Sequence, residues 1–69
     1  MNHEMLHQLT KRQIQILTGI KEGLDSKTIA EKLLLSRHTV DTHRRRILAK
    51  TKSKNMMELI YQATKLNII

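Results

Sequence analysis

Apolar residues recur along this chain at three- and four-residue steps and never settle into alternation, which predicts helices rather than strands. Ile16, Leu17 and Ile20 form the first group. Thr10 and Gln13 precede it in capping-box spacing, and Gly23 follows as a left-handed closing residue. Asp25 stands as the cap of a short second helix with Ile29, Ala30 and Leu33 facing inward. Ser36 opens a third, running to about residue 50, with Val40, Ile47 and Leu48 on its inner side. Asn55 and Glu58 repeat the capping-box spacing and open a fourth helix that ends near Asn67. Residues 1–8 are polar and unpatterned and read as a flexible, frayed N-terminal segment, leaving 9–69 as the domain. Only Leu34 and Leu35 separate the second helix from the Ser36 cap. Two helices around so tight a turn have the layout of a helix-turn-helix, although an ordinary helical hairpin shares the pattern.

Composition narrows the field. Sixty-nine residues hold one small domain and leave no room for a two-domain enzyme cleft. There is no proline and no cysteine, so neither disulfides nor thiolate metal sites contribute, and the core alone must hold the fold. No apolar run approaches the roughly 18 residues of a membrane span. The expectation is a cytoplasmic chain without a membrane partner.

Charge is the most informative quantity. Of the net +7, residues 37–54 account for +6, because seven basic groups there meet only Asp41. Those seven are Arg37, Arg44, Arg45, Arg46, Lys50, Lys52 and Lys54. Such concentration is the electrostatic footprint of a polyphosphate partner, whereas charge kept for solubility would be spread or paired with carboxylates. At about 100° per residue from Val40, the third helix turns His38, Thr42, Arg45 and Ala49 away from the core. Asp41, Arg46 and Lys52 flank that stripe. Base reading is expected from His38, Asp41, Thr42 and Arg45, with Arg45 suited to guanine O6 and N7. Asp41 either accepts from cytosine N4 or orients Arg45 one turn later, and orientation is favoured because a carboxylate is repelled by phosphates. Lys27, Thr39, His43, Arg46, Lys50 and Lys52 are expected phosphate contacts, which set register without reading sequence. For His43 a packing role stands beside the phosphate one. Tyr61 is the only aromatic residue and lies outside the basic segment, so the stacking platforms of single-strand and RNA binders are missing. Duplex DNA is the expected partner.

From Leu9 to Ile69 the chain resembles the C-terminal DNA-binding domain of LuxR-type regulators, the NarL/FixJ or GerE-like group. The resemblance rests on Leu9-Thr10-x-Arg12, Ile16-Leu17, Gly23-Leu24, Ile29-Ala30-Glu31-Lys32-Leu33 and, above all, Ser36-x-x-Thr39-Val40-x-x-His43. Ile47-Leu48, Lys50 and the Asn55…Glu58-Leu59…Ala63 segment continue it in register. It implies an all-α, four-helix (tetrahelical) helix-turn-helix that binds promoter DNA, reads bases from Asp41, Thr42 and Arg45, and dimerises largely through its fourth helix. There Met57, Ile60, Tyr61 and Thr64 form a second row beside the core-facing Leu59, Ala63 and Leu66. A weak homodimer is expected, RNA polymerase is a further candidate partner, and neither cofactor nor small-molecule ligand is expected in this domain. The chain departs from the family pattern at several positions. Gln13 and Thr28 replace customary glutamates, Asp41 is acidic where a base is common, and Gly19 sits inside the first helix. Thr51-Lys52-Ser53 stands where Leu-Gly-Val is usual and blurs the end of the third helix. In many family members a receiver or ligand-binding domain precedes this one.

Two other readings compete. His3-Glu4-Met5-Leu6-His7 matches H-E-x-x-H, the pattern of a zinc-dependent hydrolase. Catalytic zinc also needs a third ligand and a shaped cleft, and His38 and His43 already belong to the third helix, so coincidence is the expectation. Region four of a sigma factor shares the Leu-Thr-x-Arg opening and a basic recognition helix, but not a self-contained dimerisation helix.

Overall fold

The computed structural model describes residues 3–69 and contains five helices, with no strand among those residues. They are α1 (His3–Leu6), α2 (Lys11–Lys21), α3 (Ser26–Leu33), α4 (Arg37–Thr51) and α5 (Met56–Lys65). The four helices expected from the pattern are α2 to α5, and the architecture is the all-α helix-turn-helix anticipated.

Each of the four expected N-caps forms, because a side-chain oxygen at each accepts an amide that the first helical turn leaves without a partner. At α2 the box is complete: Gln13 N–H donates to Thr10 Oγ1 (3.1 Å) and Thr10 N–H donates to Gln13 Oε1 (2.9 Å). Asp25 accepts from Thr28 N–H (2.8 Å), and Ser36 accepts from Thr39 N–H (3.0 Å). At α5, Asn55 accepts from Glu58 N–H (2.8 Å). The returning bond differs from the expected box, since Glu58 accepts from Lys54 N–H (3.0 Å), one residue further out.

The C-termini share a device that the sequence showed only once. Gly23, Leu34, Lys52 and Asn67 all have left-handed backbone, at φ of 86°, 57°, 55° and 59°. In each case the following amide donates back to a carbonyl five residues earlier, such as Leu24 N–H to Gly19 and Leu35 N–H to Ala30. Lys52 stops α4 at the position where the family usually has glycine, so the unusual Thr51-Lys52-Ser53 segment still ends the helix sharply. Thr51 is fully buried there, and its hydroxyl donates to the Ile47 carbonyl (2.8 Å).

The core has two clusters. Ile16, Ile29, Ala30 and Val40 join α2, α3 and α4, while Leu6, Leu9, Leu17, Ile47, Leu59 and Ala63 join α1, α2, α4 and α5. Ile20 packs against both. Within residues 3–8, read from the sequence as part of a flexible segment, α1 forms a helical turn that packs on α4, and its fully buried Leu6 joins the second cluster. A single buried apolar residue in so short a helix generates no periodicity, so the pattern could not announce it. The molecule measures 29 × 19 × 19 Å.

Candidate nucleic-acid interface

α3 packs chiefly against α4, and this pair around Leu34 and Leu35 is the helix-turn-helix. Gly19 lets α2 approach α3 closely, since a Cβ there would lie 2.9 Å from Ile29 Cγ1. Val40 and Ile47, both fully buried, fix the rotation of α4. Its opposite side is thereby presented to solvent. His38, Arg45, Arg46 and Ala49 are exposed, Thr42 is half-buried, and no apolar side chain larger than alanine interrupts them. Lys27 on α3 and Lys52 beyond α4 are also exposed.

Within that surface, Arg45 Nη2 donates to Thr42 Oγ1 at 3.2 Å. The expected pairing of Asp41 with Arg45 does not form. Asp41 instead faces Arg37 at 3.9 Å, one turn toward the helix start. The physical reason is rotation: the wheel puts Asp41 on the flank of α4 that borders the turn between α2 and α3, and there it lines a shallow concavity with Asp25, Arg37 and Arg44. The helix's one carboxylate is thus partly neutralised and set aside from the basic stripe. Asp25 at the edge of this concavity has its pKa lowered, first by the backbone amide and then by the hydroxyl of Thr28, with smaller contributions from Arg37 and Lys27.

The other flank of α4 carries Thr39, His43, Arg46 and Lys50, which lie at i, i+4, i+7 and i+11 and so share one side. Thr39 Oγ1 lies 2.8 Å from Ser36 Oγ. Lys50 Nζ donates to the carbonyl of Gln8 at 2.8 Å, which ties the end of α4 to the segment after α1. Its expected role on phosphate therefore competes with an internal bond. His43 is half-buried, and its Nδ1 is sealed from solvent without a hydrogen-bond partner.

On α5, Met57 and Tyr61 are 82% and 61% exposed, whereas Ile60 packs against the core. Thr64 is half-buried. The free face is therefore narrower than the sequence row suggested, and Lys65 Nζ lies over the Tyr61 ring, 5.9 Å from its centroid. At the N-terminus, His3 and His7 are exposed, but α1 stops at Leu6 and does not carry both on one regular helix. Among the described residues no group of three or more His, Asp or Glu is placed to hold a metal ion. No helix there is long and apolar enough to cross a membrane.

Residues that the wheel left without a role are Arg37 and Arg44, which border the concavity, and Leu34, which is 92% exposed at the turn itself. Their angles of about 60° and 40° from Val40 would have placed both arginines beside Asp41.

Comparison with known proteins agrees with this geometry. Residues 7–63 match the family described as bacterial regulatory proteins, luxR family. The chain is 34% identical over 58 residues to the DNA-binding transcriptional activator EvgA of Escherichia coli (strain K12), covering 84% of this chain and 28% of that protein. It is 39% identical over 61 residues to the oxygen regulatory protein NreC of Staphylococcus epidermidis, covering 88% and 28%. It is 38% identical over 58 residues to the transcriptional regulatory protein FixJ of Rhizobium meliloti (strain 1021), covering 84% and 28%. The chain thus spans little more than a quarter of the length of these relatives. With the match extending over most of its residues and the helix-turn-helix in place, the chain belongs to the luxR family of bacterial regulatory proteins, as a DNA-binding domain of that type.

Proposed function

We propose that this domain reads duplex DNA for a bacterial transcriptional regulator, with α4 in the major groove, α3 across the backbone and α5 offered to a second subunit. The observation that carries this reading is the exposed side of α4. It combines cations, a hydroxyl and one small residue while its only carboxylate is drawn off by Arg37. A bulky apolar or acidic surface would suit a protein partner instead. Arg45, held by Thr42, is the candidate guanine reader, and His38 and Asp41 border it. Lys27, Thr39, His43, Arg46, Lys50 and Lys52 are assigned to phosphates. Dimerisation falls to Met57, Tyr61 and Thr64, with Ile60 contributing from below.

The test is fluorescence anisotropy on a duplex recovered by selection from random DNA. Neutralising about three to four phosphates per subunit makes log affinity fall against log salt with a slope of roughly −3. An affinity indifferent to salt would defeat the reading. Arg45→Ala should cost about 1–3 kcal/mol at one base pair and relax discrimination there alone. Because Thr42 Oγ1 accepts from Arg45, Thr42→Val should lose affinity at that same base pair, and the double variant should bind no worse than Arg45→Ala. Additive losses at two different base pairs would give Thr42 an independent role.

A further inference from the structure

The imidazole of His43 has an unusual position on the proposed DNA face. It stands on the flank of α4 shared with Thr39, Arg46 and Lys50, about 60° from the buried direction marked by Val40. Its Nδ1 is fully enclosed and has no hydrogen-bond partner, and it is the one buried side-chain nitrogen or oxygen in that condition among the described residues. Nε2 is not enclosed and unpartnered in this way, and the residue as a whole is half-buried.

A neutral imidazole carries one N–H and one lone pair, and its surroundings decide which nitrogen has which. An enclosed donor with no acceptor loses its hydration and gains nothing, and orphaned buried N–H groups are rarer in folded proteins than under-used acceptors. The enclosed Nδ1 of His43 therefore favours the lone pair, which sends the hydrogen to Nε2. Extending the reading of α4 as a DNA surface, we propose that neutral His43 is the Nε2–H tautomer and donates that hydrogen to a phosphate oxygen of the strand lying along the Thr39–Lys50 flank. The contact is directional and independent of formal charge on the ring. It differs in kind from those of Arg46 and Lys50, and it sets the height of α4 in the groove because the Nδ1 edge of the ring is enclosed.

Long-range nitrogen–proton correlation spectra of the uniformly labelled domain, in mildly alkaline buffer without DNA, read the tautomer directly. A protonated Nε2 and a lone-pair Nδ1 are expected, and the reverse assignment would overturn the inference. Binding to the selected duplex then tests the donor. A glutamine amide nitrogen reaches to where Nε2 stands, and an asparagine nitrogen reaches only to Nδ1. His43→Gln should stay within about twofold of the parent, and His43→Asn should weaken binding about tenfold or more, the range for a lost bond to a charged acceptor. Equal affinities for the two variants would overturn the role. Circular dichroism monitors folding, and if neither variant folds the spectra of the parent domain decide the tautomer. An Nδ1–H ring in a domain that binds DNA with the expected salt slope defeats this inference alone. A domain with no salt-dependent affinity for DNA defeats the phosphate contact together with the reading beneath it.

Discussion

At Gly19, inside α2, an added Cβ would meet Ile29 Cγ1 at 2.9 Å and Cδ1 at 3.1 Å. Glycine within a helix gives up about 1 kcal/mol against alanine, so composition alone marks this position for improvement. The neighbour reverses that expectation. Ile29 is β-branched, almost wholly buried and stiff about χ1, so its Cγ1 gives way only at a cost in rotamer and packing. Gly19→Ala should therefore lower stability by about 1–2 kcal/mol, the ordinary range for an overfilled core, as read by urea unfolding. Leu34 presents the opposite case. Its backbone is left-handed and its side chain is 92% exposed, so the residue bears strain and buries almost nothing. Leu34→Gly should raise stability by about 0.5–1 kcal/mol after glycine's own entropy is set against the relieved strain. A stabilised Gly19→Ala or a destabilised Leu34→Gly would show that the stated contact or strain does not govern its site. Neither effect could be read from the sequence. The first depends on a residue of another helix, and the second on a backbone angle that leucine does not advertise.

Helix starts and helix stops were unequally readable, and the reason is how each is encoded. Thr10, Asp25, Ser36 and Asn55 cap with their own side chains, so their identities announce the four starts. The stops depend on one left-handed residue, for which Gly23 and, more weakly, Asn67 give a signal, while Leu34 and Lys52 adopt it without one. α1 was unreadable because its contribution is the lone Leu6. The Asp25 cap gives a pH-dependent expectation. In the folded chain the Thr28 amide and hydroxyl, aided by Arg37 and Lys27, hold its carboxyl below the usual aspartate value. A pKa lower in the folded than in the unfolded state contributes stability above the unfolded value, and that contribution disappears as pH falls through the folded one. Asp25→Asn keeps an acceptor for the Thr28 amide but removes the titration. Its melting temperature should follow the parent's less steeply through the acid range, with the gap between the two narrowing as pH falls. Parallel curves over the whole range would mean that the Asp25 carboxylate adds nothing through its charge.

At the scale of the whole molecule, the two surfaces proposed for partners lie on α4 and α5, and they differ in how well the sequence outlined them. Charge placement identified the α4 side, since cations cannot be buried cheaply and the rotation of the helix is set by Val40 and Ile47. The pairing within that side was less readable. A helical wheel permits Asp41 to reach either Arg37 or Arg45, and in the structure it faces Arg37, at the concavity it shares with Asp25 and Arg44. On α5 the periodic row overcounted, because Ile60 turns inward and leaves Met57 and Tyr61 as the exposed apolar pair, one turn apart. Two side chains cover far less than the roughly 800 Å² per partner of a standard interface, so association through them alone should be weak. Two half-sites on one duplex change this by raising the effective concentration of the second subunit. Tyr61→Glu places a carboxylate on that face without touching the core or α4. The variant should keep the parent's unfolding midpoint and its affinity for a single half-site to within a few-fold. It should lose most of the cooperativity on paired half-sites, as read by titration of duplexes bearing one or both. Full cooperativity in a folded Tyr61→Glu protein would mean that the subunits meet elsewhere, or communicate only through the DNA between them.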